Sequence, residues 1–158
     1  MNRLGLTAAI GVAGAAAVAV WAGGKEDSPP ALAVFGVPVD AEMIELGAGL
    51  YEETCASCHG TDLEGQPDWR RRLDNGRMPA PPHDETGHTW HHADQQLFDI
   101  TKNGLASVVP GYESDMPVFD GILSDDEITA ILGYIKSTWP ERERDYQAEI
   151  TSRSEEGS

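Results

Sequence analysis

One pentapeptide limits what this chain can become more than any other stretch: Cys55-Ala56-Ser57-Cys58-His59. Two cysteines two residues apart, followed at once by a histidine, form the pattern that attaches a c-type haem. Each thiol adds across one vinyl group and leaves a thioether. The two-residue spacer, wound into one helical turn, sets the sulfurs at the separation of the vinyls. The adjacent imidazole then lies beneath the iron and ligates it. These are the only cysteines. A zinc site built from paired cysteines therefore has no second pair, and a redox dithiol has no use for the contiguous histidine.

The rest of the composition agrees with a small domain closed around a large group. The 158 residues allow one such domain plus appendages. Aromatic content is only 7%, so a core of roughly 100 residues is thin unless a covalent cofactor supplies apolar volume. The balance is acidic, 27 Asp and Glu against 11 Lys and Arg, a net charge of −16. That excludes nucleic acid, and an anionic membrane surface bound by charge. It suits docking on the basic face of a protein partner, and it also keeps a soluble domain dispersed.

Residues 1–24 read as an export segment. Arg3 precedes an uncharged Ala/Gly-rich run from Leu4 to Gly24, and marks the end held in the cytoplasm. Ala17-Val18-Ala19 fits a signal-peptide cleavage site. The length of the run favours an uncleaved anchor, since about 20 apolar residues span a bilayer. Residues 25–39, broken by Ser28-Pro29-Pro30 and Pro38, are expected to be a linker without regular structure.

Asp40 is a helix N-cap, and Met43, Leu46, Gly47, Leu50 and Thr54 recur at helical spacing up to Cys55. From Gly60 to Pro82, glycines and prolines punctuate a long loop that carries Arg70, Arg71, Arg72 and Arg77. His83, His88, His91 and His92 crowd into ten residues. They allow a second metal site, because imidazole binds copper or zinc, or they are plain loop polarity. A short helix follows, with Ala93, Leu97, Ile100 and Thr101 on one face and Asn103-Gly104 as its stop. A second loop runs from Leu105 to Leu123 and contains Met116-Pro117. Ser124 and Glu127 form a capping box for the last helix, whose apolar stripe is Ile128, Ile131, Leu132, Ile135 and Trp139. Residues 141–158, charged and Ser-rich, are expected to be a frayed or disordered tail.

The attachment motif, the Met-Pro after a glycine-containing loop and the closing amphipathic helix stand in one order across residues 40–140. In this the chain resembles the class I, monohaem cytochromes c. The resemblance implies an all-α domain around one covalent haem c, preceded here by the apolar export or anchor helix. It implies an electron carrier rather than an enzyme, on the periplasmic side of the inner membrane, anchored or soluble, with redox proteins as donor and acceptor. It implies His59 and Met116 as axial ligands. Met43, on a helix face, and Met78, too soon after the motif, suit the second role less. A carbonyl from Pro79 or Pro81 would accept from the His59 imidazole, and a loop arginine such as Arg71 would pair with a haem propionate. Gly47 and Tyr51 would let the first helix cross the last closely, near Tyr134. Three other readings stay open. They are a haem subunit of a larger oxidoreductase complex, a protein binding a small ligand at iron, and a metal-handling protein using the histidine cluster.

Extraction with acidified acetone should leave the haem on the polypeptide. Colour passing into the solvent would refute attachment at Cys55 and Cys58.

Overall fold

A computed structural model describes residues 32–157. The export segment and the first part of the expected linker lie outside the described residues, among which no helix is long and apolar enough to cross a membrane. Five helices follow in order: α1 (Ala41–Thr54), α2 (Ala56–His59), α3 (Asp94–Asn103), α4 (Asp125–Thr138) and α5 (Glu141–Glu156). Single 3-10 turns lie at Thr89–His91 and Leu105–Ser107.

Local sequence signals account for most of the boundaries. The Asp40 side chain accepts from the Met43 amide at 2.9 Å and starts α1. Ser124 and Glu127 complete the capping box that starts α4. Gly104, at φ 81°, ends α3 in a conformation that glycine adopts without strain. All five stripe residues of α4 are buried, and together they make the floor of the core.

The central packing event is the crossing of α1 and α4. A Cβ placed on Gly47 would sit 2.1 Å from the carbonyl oxygen of Ala130 and 2.9 Å from the Tyr134 Cβ. Only a bare Cα lets the backbones approach so closely, which offsets the roughly 1 kcal/mol that glycine costs inside a helix. Tyr51, one turn on, is 2% exposed and packs against the Tyr134 ring at 5.5 Å. The α1 face differs from the expected one at one position. Leu46 is 50% exposed, whereas Tyr51 is buried at the crossing as expected. Five residues apart, the two lie about 140° apart on the wheel, so Leu46 falls outside the stripe shared by Gly47, Leu50, Tyr51 and Thr54.

Two expectations fail at the ends. The second part of the supposed linker is a small antiparallel hairpin, β1 (Ala33–Val34) with β2 (Val37–Pro38), turned at Phe35-Gly36. Both turn residues have positive φ, 51° and 72°, as tight hairpin turns require. Phe35 is held there from outside. Its amide donates to Asp94 Oδ2 at 2.9 Å, and its ring meets Phe98 edge-on at 5.6 Å. The supposed tail is the helix α5. It docks through polar groups, which is why it shows no apolar stripe. Gln147 is fully buried and donates to Asp94 Oδ1 at 2.7 Å. Lys136 Nζ of α4 meets the same oxygen at 2.7 Å, and Thr151 accepts from the Asp94 amide. One carboxylate thus joins the hairpin, α3, α4 and α5. Burial pushes the Lys136 pKa down while Asp94 pulls it back up.

Gly47→Val should destabilise the fold by overpacking, of order 1–3 kcal/mol, seen as a lowered melting temperature. An unchanged melting curve would refute the close crossing.

Candidate functional site

The attachment motif sits at the junction of α1 and α2. Helix α1 ends at Thr54, whose hydroxyl donates to the Leu50 carbonyl at 2.6 Å. Cys55 then caps both α1 and the single turn α2. The Cys58 and His59 amides donate back to the Cys55 carbonyl at 3.1 and 2.9 Å, closing that turn. Neither cysteine is in a disulfide. Cys55 is half-buried against the core and Cys58 is exposed. Burial raises the Cys55 pKa. The Tyr51 hydroxyl reaches over the turn to donate to the Gly60 carbonyl at 3.0 Å, and burial keeps that phenol protonated. The crossing of α1 on α4 is therefore tied to the far end of the motif.

His59 is buried, and its Nδ1 lies 2.8 Å from the Pro81 carbonyl oxygen. A carbonyl can only accept, so Nδ1 carries the proton and Nε2 keeps its lone pair. Burial lowers the His59 pKa and keeps the ring neutral, although the bond to Pro81 pulls the other way. The loop is folded so that Pro81, not Pro79, meets the ring. The Gly65 amide donates to the His59 carbonyl at 2.7 Å, and Gln66 N donates to Ala80 O at 2.9 Å. A Cβ on Gly65 would lie 2.5 Å from the Pro82 nitrogen and 2.7 Å from the Pro81 carbonyl carbon. The glycine lets segment 65–66 press segment 80–82 against the motif.

The donor chemistry fits a covalent haem. Two thiols flank one helical turn, and the next residue offers a neutral imidazole with its outer nitrogen already bonded and its inner lone pair open. Met116 is half-buried at the edge of the same core, its amide donating to Ser114 Oγ at 3.0 Å. Its loop is joined to the loop of residues 60–82. Arg77 pairs with Asp115 and lies 3.8 Å from Glu113, and the Arg72 guanidinium is 5.8 Å over the Tyr112 ring. Arg71 is exposed.

The histidine cluster takes a form that the sequence did not show. Among the described residues no three His, Cys, Asp or Glu side chains converge as a metal site. The rings meet mostly aromatic or polar neighbours, and His88 and His92 meet each other edge-on at 5.3 Å. His88 stacks on Trp69, His91 stacks on Trp90 beside Tyr146, and His92 Nδ1 meets Gln96 Oε1 at 3.1 Å. His83 stacks on His59 itself, with centroids 4.0 Å apart and planes 20° from parallel. Imidazole flatness, rather than its lone pairs, decides most of these contacts, and residue spacing does not reveal that. The second-metal expectation therefore has no support in the fold.

Comparison with known proteins gives one match. The Cytochrome c family profile matches residues 44–139, from α1 to the end of α4. No curated protein and no solved structure matches the chain. The matched span omits the hairpin and α5.

Burial lowers the pKa of His83 and His88 from about 6.5. Below pH 6.5 the unfolded chain binds protons that the folded chain refuses, so stability falls as pH drops through that value. Urea midpoints of the full chain should decline between pH 7.5 and 5. A flat profile would contradict neutral buried imidazoles.

Proposed function

Because this chain belongs to the cytochrome c family, we propose that it is a one-electron carrier working outside the cytoplasm, with His59 and Met116 as axial ligands of one haem held by Cys55 and Cys58. The observation that carries the reading is the His59 ring, neutral, buried and donating from Nδ1 to Pro81. Bound at the two thiols, haem supplies an iron that gains and loses a single electron. The protein's own residues then do three things. His59 presents Nε2 in the protonation state that a metal needs, and the Pro81 carbonyl makes the ring a stronger donor. Met116 offers a thioether, a soft ligand that favours the reduced iron and raises the potential. Its loop is held to the opposite loop by Arg77 with Asp115 and Glu113. That exposed pair is worth only about 0–1 kcal/mol, so the packing of Met116 on the core does most of the holding.

With both axial positions filled by side chains, electrons leave through the haem edge to another protein. The acidic surface supports a basic partner face, whose attraction acts over about 8 Å at physiological salt and raises the encounter rate. The uncharged run of residues 4–24 after Arg3 supports export to the periplasmic side and a tether there.

The oxidised protein should show the weak sulfur-to-iron absorption band in the near infrared. Met116→Ala should abolish that band and lower the potential. A band that survives the substitution would assign the sixth ligand to another residue.

A further inference from the structure

We propose that His83 is a positioning residue for the axial imidazole: its flat ring forms the wall that fixes the orientation of His59 about the iron bond and keeps water from the His59–Pro81 hydrogen bond. The inference deepens the reading above, because it requires His59 to ligate the iron. A single hydrogen bond leaves a ring free to librate about the line between donor and acceptor. A second ring lying 4.0 Å away at 20° stops that motion, since tilting drives ring atoms inside van der Waals contact.

A wall orients only if it is itself fixed, and His83 is fixed at three points. Its amide donates to the Leu63 carbonyl at 2.7 Å. Its carbonyl accepts from Trp139 Nε1 at 2.7 Å, which anchors it to the end of α4. On the ring, Nδ1 lies 2.8 Å from Thr89 Oγ1. The Thr89 hydroxyl donates to the Pro82 carbonyl at 3.4 Å, so it accepts from His83 Nδ1–H. Thr89 is buried in the 3-10 turn on which α5 packs. The Tyr51 ring meets the His83 ring edge-on at 6.2 Å. The two residues beside the His59–Pro81 bond are thus tied to α1, to α4 and, through Thr89, to α5. Nothing in the bare attachment motif requires a second imidazole here.

Haem-loaded protein tests the inference by the hyperfine-shifted haem-methyl resonances of the oxidised form, which report the plane of the axial imidazole, together with the midpoint potential. His83→Ala removes the flat wall. It should redistribute the methyl shifts and, by admitting water beside the ligand, lower the potential. His83→Phe keeps a flat ring without the Thr89 bond and should restore a pattern close to wild type. Unchanged shifts and potential in His83→Ala would overturn the inference. So would Ala and Phe variants displaced equally. Should His83→Ala fail to load haem, His83→Leu removes the flat ring while keeping side-chain volume. It should displace the methyl pattern, and an unchanged pattern would refute the proposal. A wild-type protein whose oxidised spectrum shows no histidine on the iron would instead refute the underlying ligation.

Discussion

The bond from His59 Nδ1 to the Pro81 carbonyl governs what the rest of the structure is for. An imidazole free in water divides its time between two tautomers and takes a proton near neutral pH. A buried imidazole facing a carbonyl does neither. The proton is placed on one nitrogen, the lone pair on the other, and the ring points in one direction before any metal arrives. The neighbouring thiols then fix where a covalent group has to lie. The motif supplies the chemical groups, and the loop of residues 60–82 supplies their protonation state.

Holding that carbonyl in place is a problem of loops, which bury little apolar area of their own. The solution visible here is indirect. Gly47 brings α1 onto α4 at backbone contact, and the Tyr51 hydroxyl carries that crossing to Gly60, just past the motif. Gly65 and Gln66 press the proline segment back against His59. Trp139 at the end of α4 takes hold of His83, two residues beyond Pro81. Each of these hydrogen bonds is worth about 1 kcal/mol net, and those of Tyr51 and Trp139 end on the helix pair. The loops are rigid because the crossing is. At the opposite end Asp94 plays a similar part for the hairpin and α5, and there the groups are charged and buried. Removing one partner of such a pair destabilises by about 3–5 kcal/mol.

What was legible in the sequence is what short-range chemistry dictates. Asp40, the Ser124–Glu127 box and the α4 stripe each declare themselves within a turn or two of helix, and the attachment motif is contiguous. The choice between Pro79 and Pro81 was not legible, because it depends on how Gly65 lets two distant segments approach. Helix α5 escaped notice because Gln147, Thr151 and Asp94 hold it, and polar docking leaves no apolar period to count. The hairpin was hidden by Phe35, a residue that takes positive φ only when a partner such as Asp94 imposes it. The histidines were the least legible. Their clustering allowed coordination or plain loop polarity, whereas the fold stacks His83, His88 and His91 by their flat faces, a use that spacing does not encode.

The central claim is that His59 is held with its proton on Nδ1, facing Pro81, so that Nε2 is the ligand. The most direct measurement is a nitrogen–proton correlation spectrum of the reduced, haem-loaded protein labelled with nitrogen-15 at histidine. The account predicts one slowly exchanging proton on His59 Nδ1 and none on Nε2. An unprotonated Nδ1, or a proton that exchanges as freely as one in water, would contradict it.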